Sequence, residues 1–283
     1  MLSLHGVGAL ITPEDDLQMR KRSLYLRRVR TLFMLPLLFV ACTSAPSVSE
    51  TNVPGPSVTE MSEKTVAIHP IHHSAMALVW NGHTVLVDPH DGAERYAAYP
   101  TPELVLITDI HGDHMDPATL SGLDLSKAKI IAPKAVMDEL PDDLKARCTA
   151  LANGERGEHL GIGIEAIAMY NMPDPNDPRH PKGRGNGYVL TFGNERIYIS
   201  GDTEDIPEMR ALTNIDVAFV CMNLPYTMTV QQAASGVLAF HPKVVYPYHY
   251  RGKDGLSDVA LFKKLVNEGD PKIDVQLADW YAK

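Results

Sequence analysis

The sequence predicts a mixed α/β domain in which two β-sheets pack face to face with helices outside. Short apolar runs of strand length recur throughout residues 64–283. They alternate with loop and helix patterns in two strand-rich halves of similar size, an order that suits two sheets, each covered by helices. Asn81-Gly82 and Gly193-Asn194 each separate two such runs and read as hairpin turns.

In the first half, strands are expected over residues 65–68, 75–80, 84–88, 103–108 and 129–132. In the second half they are expected over 163–169, 187–192, 195–200, 216–222, 243–247 and 274–278. Most are rich in Val, Ile, Leu and aromatic residues and end at turn-forming residues. Helices are expected over 115–122, 133–139, 204–212, 228–240 and 256–267. Residues 171–186 (NMPDPNDPRHPKGRGN) hold four prolines and read as a long ordered loop, a feature that is often functional in a compact domain.

Composition narrows the function classes. The 283 residues are 45% hydrophobic and 22% charged, which excludes a disordered chain, a collagen and a multi-span membrane protein. With 26 Lys+Arg against 35 Asp+Glu the net charge is -9, and the main body has no basic cluster, so nucleic acid is not an expected partner. Three cysteines, Cys42, Cys148 and Cys221, are too few for a disulfide framework. The twelve histidines cluster.

The N-terminus reads as a processing segment, residues 1–41. Residues 20–30 (RKRSLYLRRVR) carry six basic groups and no acid, and 32–41 (LFMLPLLFVA) form an apolar run of ten. Spanning a bilayer takes about 20 residues, so this is the core of a secretory signal rather than a membrane helix. Met19 opens a conventional signal and is the expected true start. Phe39-Val40-Ala41-Cys42 resembles a bacterial lipobox, apart from Phe39 where Leu is usual, and implies lipidation at Cys42. Residues 42–63, rich in Ser, Thr, Pro and Glu, are expected to be a flexible tether. Resemblance to Gram-negative lipoproteins, with Thr43 rather than Asp after the cysteine, implies export and anchoring on the periplasmic side of the outer membrane.

The chemistry is concentrated at strand ends. Residues 104–117 (LVLITDIHGDHMDP) run from a buried strand into Asp109, His111, Asp113 and His114, four metal-binding groups within six residues. Gly112 lets the backbone turn tightly among them. Imidazole and carboxylate suit Zn, Mn or Fe(II). The strand ERIYIS leads to Asp202, and KVVYPY leads to His249. His180 precedes the strand GYVL, while Asn171 ends the strand GIEAIAMY. Singly, each of these would pass as a turn, a structural or a solvated residue.

Together they are similar to the metallo-β-lactamase superfamily, whose signature is His-x-His-x-Asp-His, a lone His, an Asp after a strand and a late His. The resemblance spans residues 64–283 and implies the αββα fold. VAIHPIHHSAMALVWNGHTVLVDP further resembles the opening strands of its lactonase-like and N-acyl phosphatidylethanolamine phospholipase D-like branch. It implies two divalent metal ions, zinc foremost, with Mn or Fe as alternatives. Asp109, in place of the first signature His, would ligate one ion with His111 and His180, with Asn171 as the rival middle ligand. Asp113, His114 and His249 would serve the other, and Asp202 would bridge.

The resemblance also implies a metal-dependent hydrolase in which a metal-bridging hydroxide attacks an ester, lactone or phosphodiester. Asp113 would act as the catalytic residue, orienting the hydroxide and protonating the leaving group. His73, Tyr226 and Tyr250 are candidate substrate contacts. Lys182, Arg184 and Arg251 would contact an anionic group or simply lie on a solvated face. The expected substrate is a small molecule or a lipid-derived one, with membrane contact through the lipid anchor alone. A non-heme iron redox enzyme of the same superfamily and a non-catalytic envelope binding protein are the competing readings.

Overall fold

The computed structural model describes residues 65–172 and 179–282. The expected signal segment, the expected lipidation site Cys42 and the expected tether lie outside the described residues.

The first sheet has the order β1 (Ala67–His72), β2 (Ala75–Trp80), β3 (His83–Val87), β4 (Leu104–Leu106), β5 (Lys129–Ala132), β6 (Cys148–Ala150). Its first two pairings are antiparallel and the remaining three parallel. The second sheet is built from β7 (Arg156–His159), β8 (Ile162–Met169), β9 (Gly185–Phe192), β10 (Glu195–Ile199), β11 (Val217–Cys221), β12 (Val244–Tyr248) and β15 (Asp274–Val275). Its order is β15-β12-β11-β10-β9-β8-β7, parallel from β15 to β10 and antiparallel thereafter. β13 (Arg251–Gly252) and β14 (Gly255–Leu256) form a small separate ribbon.

Alternation along the first sheet sorts its side chains into two layers. Met76, Leu78, Val85, Val87, Leu104 and Leu106 join the core shared with the second sheet, which includes Ile164, Tyr188, Leu190 and Ile197. Ala75, Ala77, Leu86, Val105, Ile107 and Ile130 face the other way. There they meet Leu120 of α1 (Pro117–Gly122), Val136 of α2 (Lys134–Glu139) and Leu144 of α3 (Asp142–Lys145). Val237 and Phe240 of α5 (Val230–Phe240) and Phe262 and Val266 of α6 (Val259–Gly269) pack on the core that includes the second sheet. Among the described residues there are also the short helix α4 (Pro207–Arg210) and a 3-10 turn over Ala93–Tyr96. The fold is thus the expected mixed α/β arrangement with two large mixed sheets and helices.

The local signals act as expected at the turns. Trp80 pairs with His83 across Asn81 and Gly82, whose φ values of 48° and 80° are the left-handed pair that a tight hairpin needs. A capping box between Thr229 and Gln232 opens α5.

Several expectations need correction. β1 runs on to His72 through Pro70, which an edge strand tolerates, with a bulge between Pro70 and His72. β6, β7 and α3 escaped the reading of apolar runs because they are short and partly exposed, with charged residues in β7 and α3. The helix expected over 204–212 shortens to α4, and the strand expected over 103–108 shortens to β4. The loop expected over 171–186 ends earlier, because residues 185 and 186 already pair with Met169 and Ala168 in β9.

Candidate metal centre

The carboxyl ends of β4, β10, β11 and β12 bring chemistry-bearing residues together. Such ends of parallel strands are where open α/β sheets place their sites. After β4, His114 and Met115 donate their backbone N–H to His111 O at 2.9 and 2.8 Å, closing a turn that gathers Asp109, His111, Asp113 and His114. The Ser74 hydroxyl donates to Asp113 O and ties this turn to the β1–β2 connection.

Asp202 follows β10, and its buried carboxylate reaches three imidazoles. Oδ1 is 3.1 Å from His249 Nε2, and Oδ2 is 3.4 Å from His180 Nε2 and 3.5 Å from His114 Nε2. His249 Nε2 lies 3.1 Å from His114 Nε2 and 3.5 Å from Asp113 Oδ2. On the other side, Asp109 Oδ2 is 2.7 Å from His111 Nδ1 and 3.9 Å from His180 Nε2. Donor atoms of Asp109, His111 and His180 lie within 4.8 Å of one another, as do those of His114, Asp202 and His249, and those of His73, Asp113 and His249.

Hydrogen bonds fix which imidazole nitrogen faces the cluster. Asp88, at the end of β3 and fully buried, accepts from Thr108 N and from Thr108 Oγ1 at 2.7 Å each, and lies 2.9 Å from His114 Nδ1. A carboxylate on Nδ1 holds the proton there and turns the Nε2 lone pair inward. Asn171 does the same for His180. Its Oδ1 accepts from His180 N at 3.0 Å and lies 2.8 Å from His180 Nδ1, while its Nδ2 donates to Tyr226 O at 2.8 Å. His180 thus turns Nε2 toward Asp109 and Asp202, while Asn171 contacts its other ring nitrogen.

His73 and His249 both sit in the left-handed region, at φ 53° and 46°. Each costs of order 1 kcal/mol or more, strain that concentrates at functional sites. His249 N donates to His73 O at 3.2 Å, and the two rings lie 3.9 Å apart. His73 Nδ1 is 2.7 Å from the Tyr281 hydroxyl, and His73 Nε2 is 3.2 Å from Asp113 Oδ2.

Charge in this cluster is unevenly held. Burial opposes a charged His114, but Asp202, Asp88 and Asp113 overcome it and hold its pKa well above the ordinary value. Burial, with His73 and His114 beside it, pushes His249 down to about 3. Burial would raise Asp202 and Asp113, yet the neighbouring histidines hold both below the usual carboxylate range. A cation taken up by this set would displace any proton held on the imidazole nitrogens that face it. His180 Nε2 and Asp202 Oδ1 are buried without a hydrogen-bond partner. Orphaned atoms of this kind are costly unless something pairs with them, and a divalent cation fits this imidazole and carboxylate set.

The remaining expectations fall into place around this cluster. Tyr226 lines the pocket of about 370 Å³ that opens onto His111, Asp113, His180 and Asp202. Tyr250 does not line it, because its hydroxyl donates to Ala278 O and its ring packs on Tyr281. The cations expected on an anion or in solvent are paired elsewhere. Lys182 bonds Glu208, Arg251 lies over the Tyr281 ring at 4.0 Å, and Arg184 grips Asp109. Two further residues carry little signal in the sequence: Asp88, visible only as an Asp-Pro step after a strand, and Arg179, which lines the pocket and lies over the Tyr226 ring at 5.3 Å.

The model of the β-lactamase superfamily domain matches residues 67–249. A crystallised Parabacteroides distasonis protein described as a metal-dependent hydrolase is 39% identical, covering 75% of this chain and 92% of its own, with a TM-score of 0.67. A UPF0173 metal-dependent hydrolase of Pyrococcus abyssi is 29% identical over 194 residues, 65% of this chain and 85% of the relative. Igni18, a metallo hydrolase of Ignicoccus hospitalis, shares the fold at 24% identity, covering 76% of this chain and 95% of its own, with a TM-score of 0.63. The chain belongs to the β-lactamase superfamily, among its metal-dependent hydrolases.

Proposed function

We propose that this protein hydrolyses an ester, lactone or phosphodiester at a centre for two divalent metal ions, zinc foremost. The observation that carries the reading is the convergence of Asp109, His111 and His180 beside His114, Asp202 and His249, with the Asp202 and His180 atoms left unpartnered. Cations held there would supply Lewis acidity and lower the pKa of water from 15.7 to about 7. Asp202 lies between the two groups of imidazoles: its Oδ2 reaches His180 of one and His114 of the other, and its Oδ1 reaches His249.

Asp113 is the candidate catalytic residue. It faces the pocket, and His73 fixes its Oδ2, so it can accept a proton at the pocket floor and return it to a leaving group. Tyr226 and Arg179 form the pocket wall, where an arginine favours a substrate carrying a carboxylate or phosphate.

The test is a panel of aryl esters, lactones and bis(p-nitrophenyl) phosphate, assayed with metal-loaded and chelator-stripped protein. Turnover is expected only with metal. Arg179→Ala should raise KM about tenfold for an anionic substrate and leave a neutral one unchanged, since charge-assisted contacts contribute on this scale. Metal-independent turnover, or no turnover of any of the three, would count against the reading.

Export rests on the N-terminal pattern alone: six basic groups, an apolar run of ten and Cys42. We infer a lipid anchor at Cys42 on the periplasmic side of the outer membrane, so that a lipid-derived substrate lies within reach. Labelled palmitate is expected to enter the wild-type chain and not Cys42→Ser. Equal labelling of both would refute the anchor.

A further inference from the structure

The two groups of candidate ligands differ in one respect that the superfamily signature does not contain. Asp109 stands where the first signature histidine is expected, and it is bound by a buried-side arginine. Arg184 Nε donates to Asp109 Oδ1 at 3.1 Å, and Arg184 Nη2 donates to Oδ2 at 3.0 Å. The same Oδ2 lies 2.7 Å from His111 Nδ1. Asp109 itself is fully buried, and Arg184 is mostly so.

The backbone delivers this pair. Asn186 N donates to Thr108 O at 2.9 Å, so the start of β9 runs directly beside the residue preceding Asp109. Gly185 permits the approach, since a Cβ there would stand 3.0 Å from Thr108 O and closer still to the Met169 side chain. Arg184, one residue earlier, is thereby placed against the carboxylate.

By contrast, Asp202 and Asp113 form their ion pairs with imidazoles: His114, His180 and His249 for the first, His73, His114 and His249 for the second. An imidazole can surrender its proton to make room for a cation, whereas a guanidinium keeps its charge at any working pH.

We propose that Arg184 makes the two metal positions unequal: by holding Asp109 in a bidentate ion pair it leaves the Asp109, His111 and His180 position the weaker one, and His114, Asp202 and His249 the tighter. The inference rests on the metal-centre reading above. Its physical basis is twofold. A cation at the first position competes for carboxylate lone pairs already engaged by Arg184 and His111. It also approaches a fixed positive charge in a site of low dielectric. The Asp109–Arg184 pair carries no net charge, as the neutral imidazole of the signature does, so the substitution preserves the charge of the position while loosening its grip.

The test is a Zn²⁺ titration of the full chain after chelator treatment, with bound metal counted by mass spectrometry and folding followed by circular dichroism. Wild type is expected to bind one equivalent tightly and a second at least about tenfold more weakly, the range over which partners behind a ligand act. Asp109→Asn should remove the weaker equivalent and His249→Ala the tighter. Arg184→Met should tighten the second equivalent about tenfold. Arg184→Lys, which keeps the charge but frees one carboxylate oxygen, should fall between Met and wild type, and it decides the matter if the Met variant fails to fold. Two equal equivalents in wild type, or a second equivalent unmoved or weakened in the Arg184 variants, would overturn the inference while leaving the metal centre standing. No bound zinc in any form would overturn both.

Discussion

Replacing Asp202 with Asn is expected to lower kcat/KM by about 10³-fold, the scale on which preorganised charge at a reacting centre acts. The substitution preserves volume, so the loss reports charge rather than packing. The carboxylate lies within 3.5 Å of the Nε2 atoms of His114, His180 and His249. An amide there would present an N–H₂ or a weakly basic oxygen to three imidazoles, and neither balances a cation. Bound metal should fall with activity, so metal analysis and a hydrolase assay on the same preparation check the result. Full metal content with activity within about tenfold of wild type would contradict the assigned place of Asp202.

Asp88→Asn is the second large effect, and it acts without touching the pocket. One Asp88 oxygen accepts from Thr108 N, and the other lies between Thr108 Oγ1 and His114 Nδ1. If the amide oxygen keeps the bond to Thr108 N, the new N–H₂ faces two groups that were donating. His114 then relieves the clash by moving its proton from Nδ1 to Nε2, which blocks the nitrogen that faces Asp202. Metal affinity is expected to fall 10- to 100-fold, roughly what partners behind a ligand are worth. Stability should fall by about 1–3 kcal/mol, because a buried donor loses its acceptor. Zinc titration and urea unfolding of the metal-free protein measure the two separately. Unchanged zinc affinity would show that Asp88 does not orient His114.

Asp202 and Asp88 differ in how plainly the chain announces them. Asp109 to His114 fall within six residues, so their spacing suggests a cluster, and Asp202, at a Gly-Asp step after a strong apolar strand, joins them through the family resemblance. Asp88 also ends a strand, but its function comes from Thr108 and His114, twenty and twenty-six residues further on, and only tertiary pairing joins them. Arg184 was legible as a charge and not as a partner, because the contact depends on how closely β9 passes Thr108. His180 and Asn171 looked like rivals for one position. In the fold they touch each other, Asn171 Oδ1 against His180 Nδ1, and only the His180 Nε2 atom faces Asp109 and Asp202. Most strands of the two large sheets were legible as apolar runs, except β6 and β7, which hide in short, partly exposed segments, whereas the order of the strands rests on tertiary pairing.

The unit that would grip a cation does not exist within either sheet. Its donors come from residues 73 and 109–114, which follow strands of the first sheet, and from residues 180, 202 and 249, which flank strands of the second. Those segments are far apart along the chain, so closing them carries a loop-entropy cost that only a nearly complete sandwich has already met. A cation held by donors from both sheets would add its binding free energy to keeping them docked. It would act as a rivet across the seam of the sandwich, so that metal supply would bear on tertiary stability.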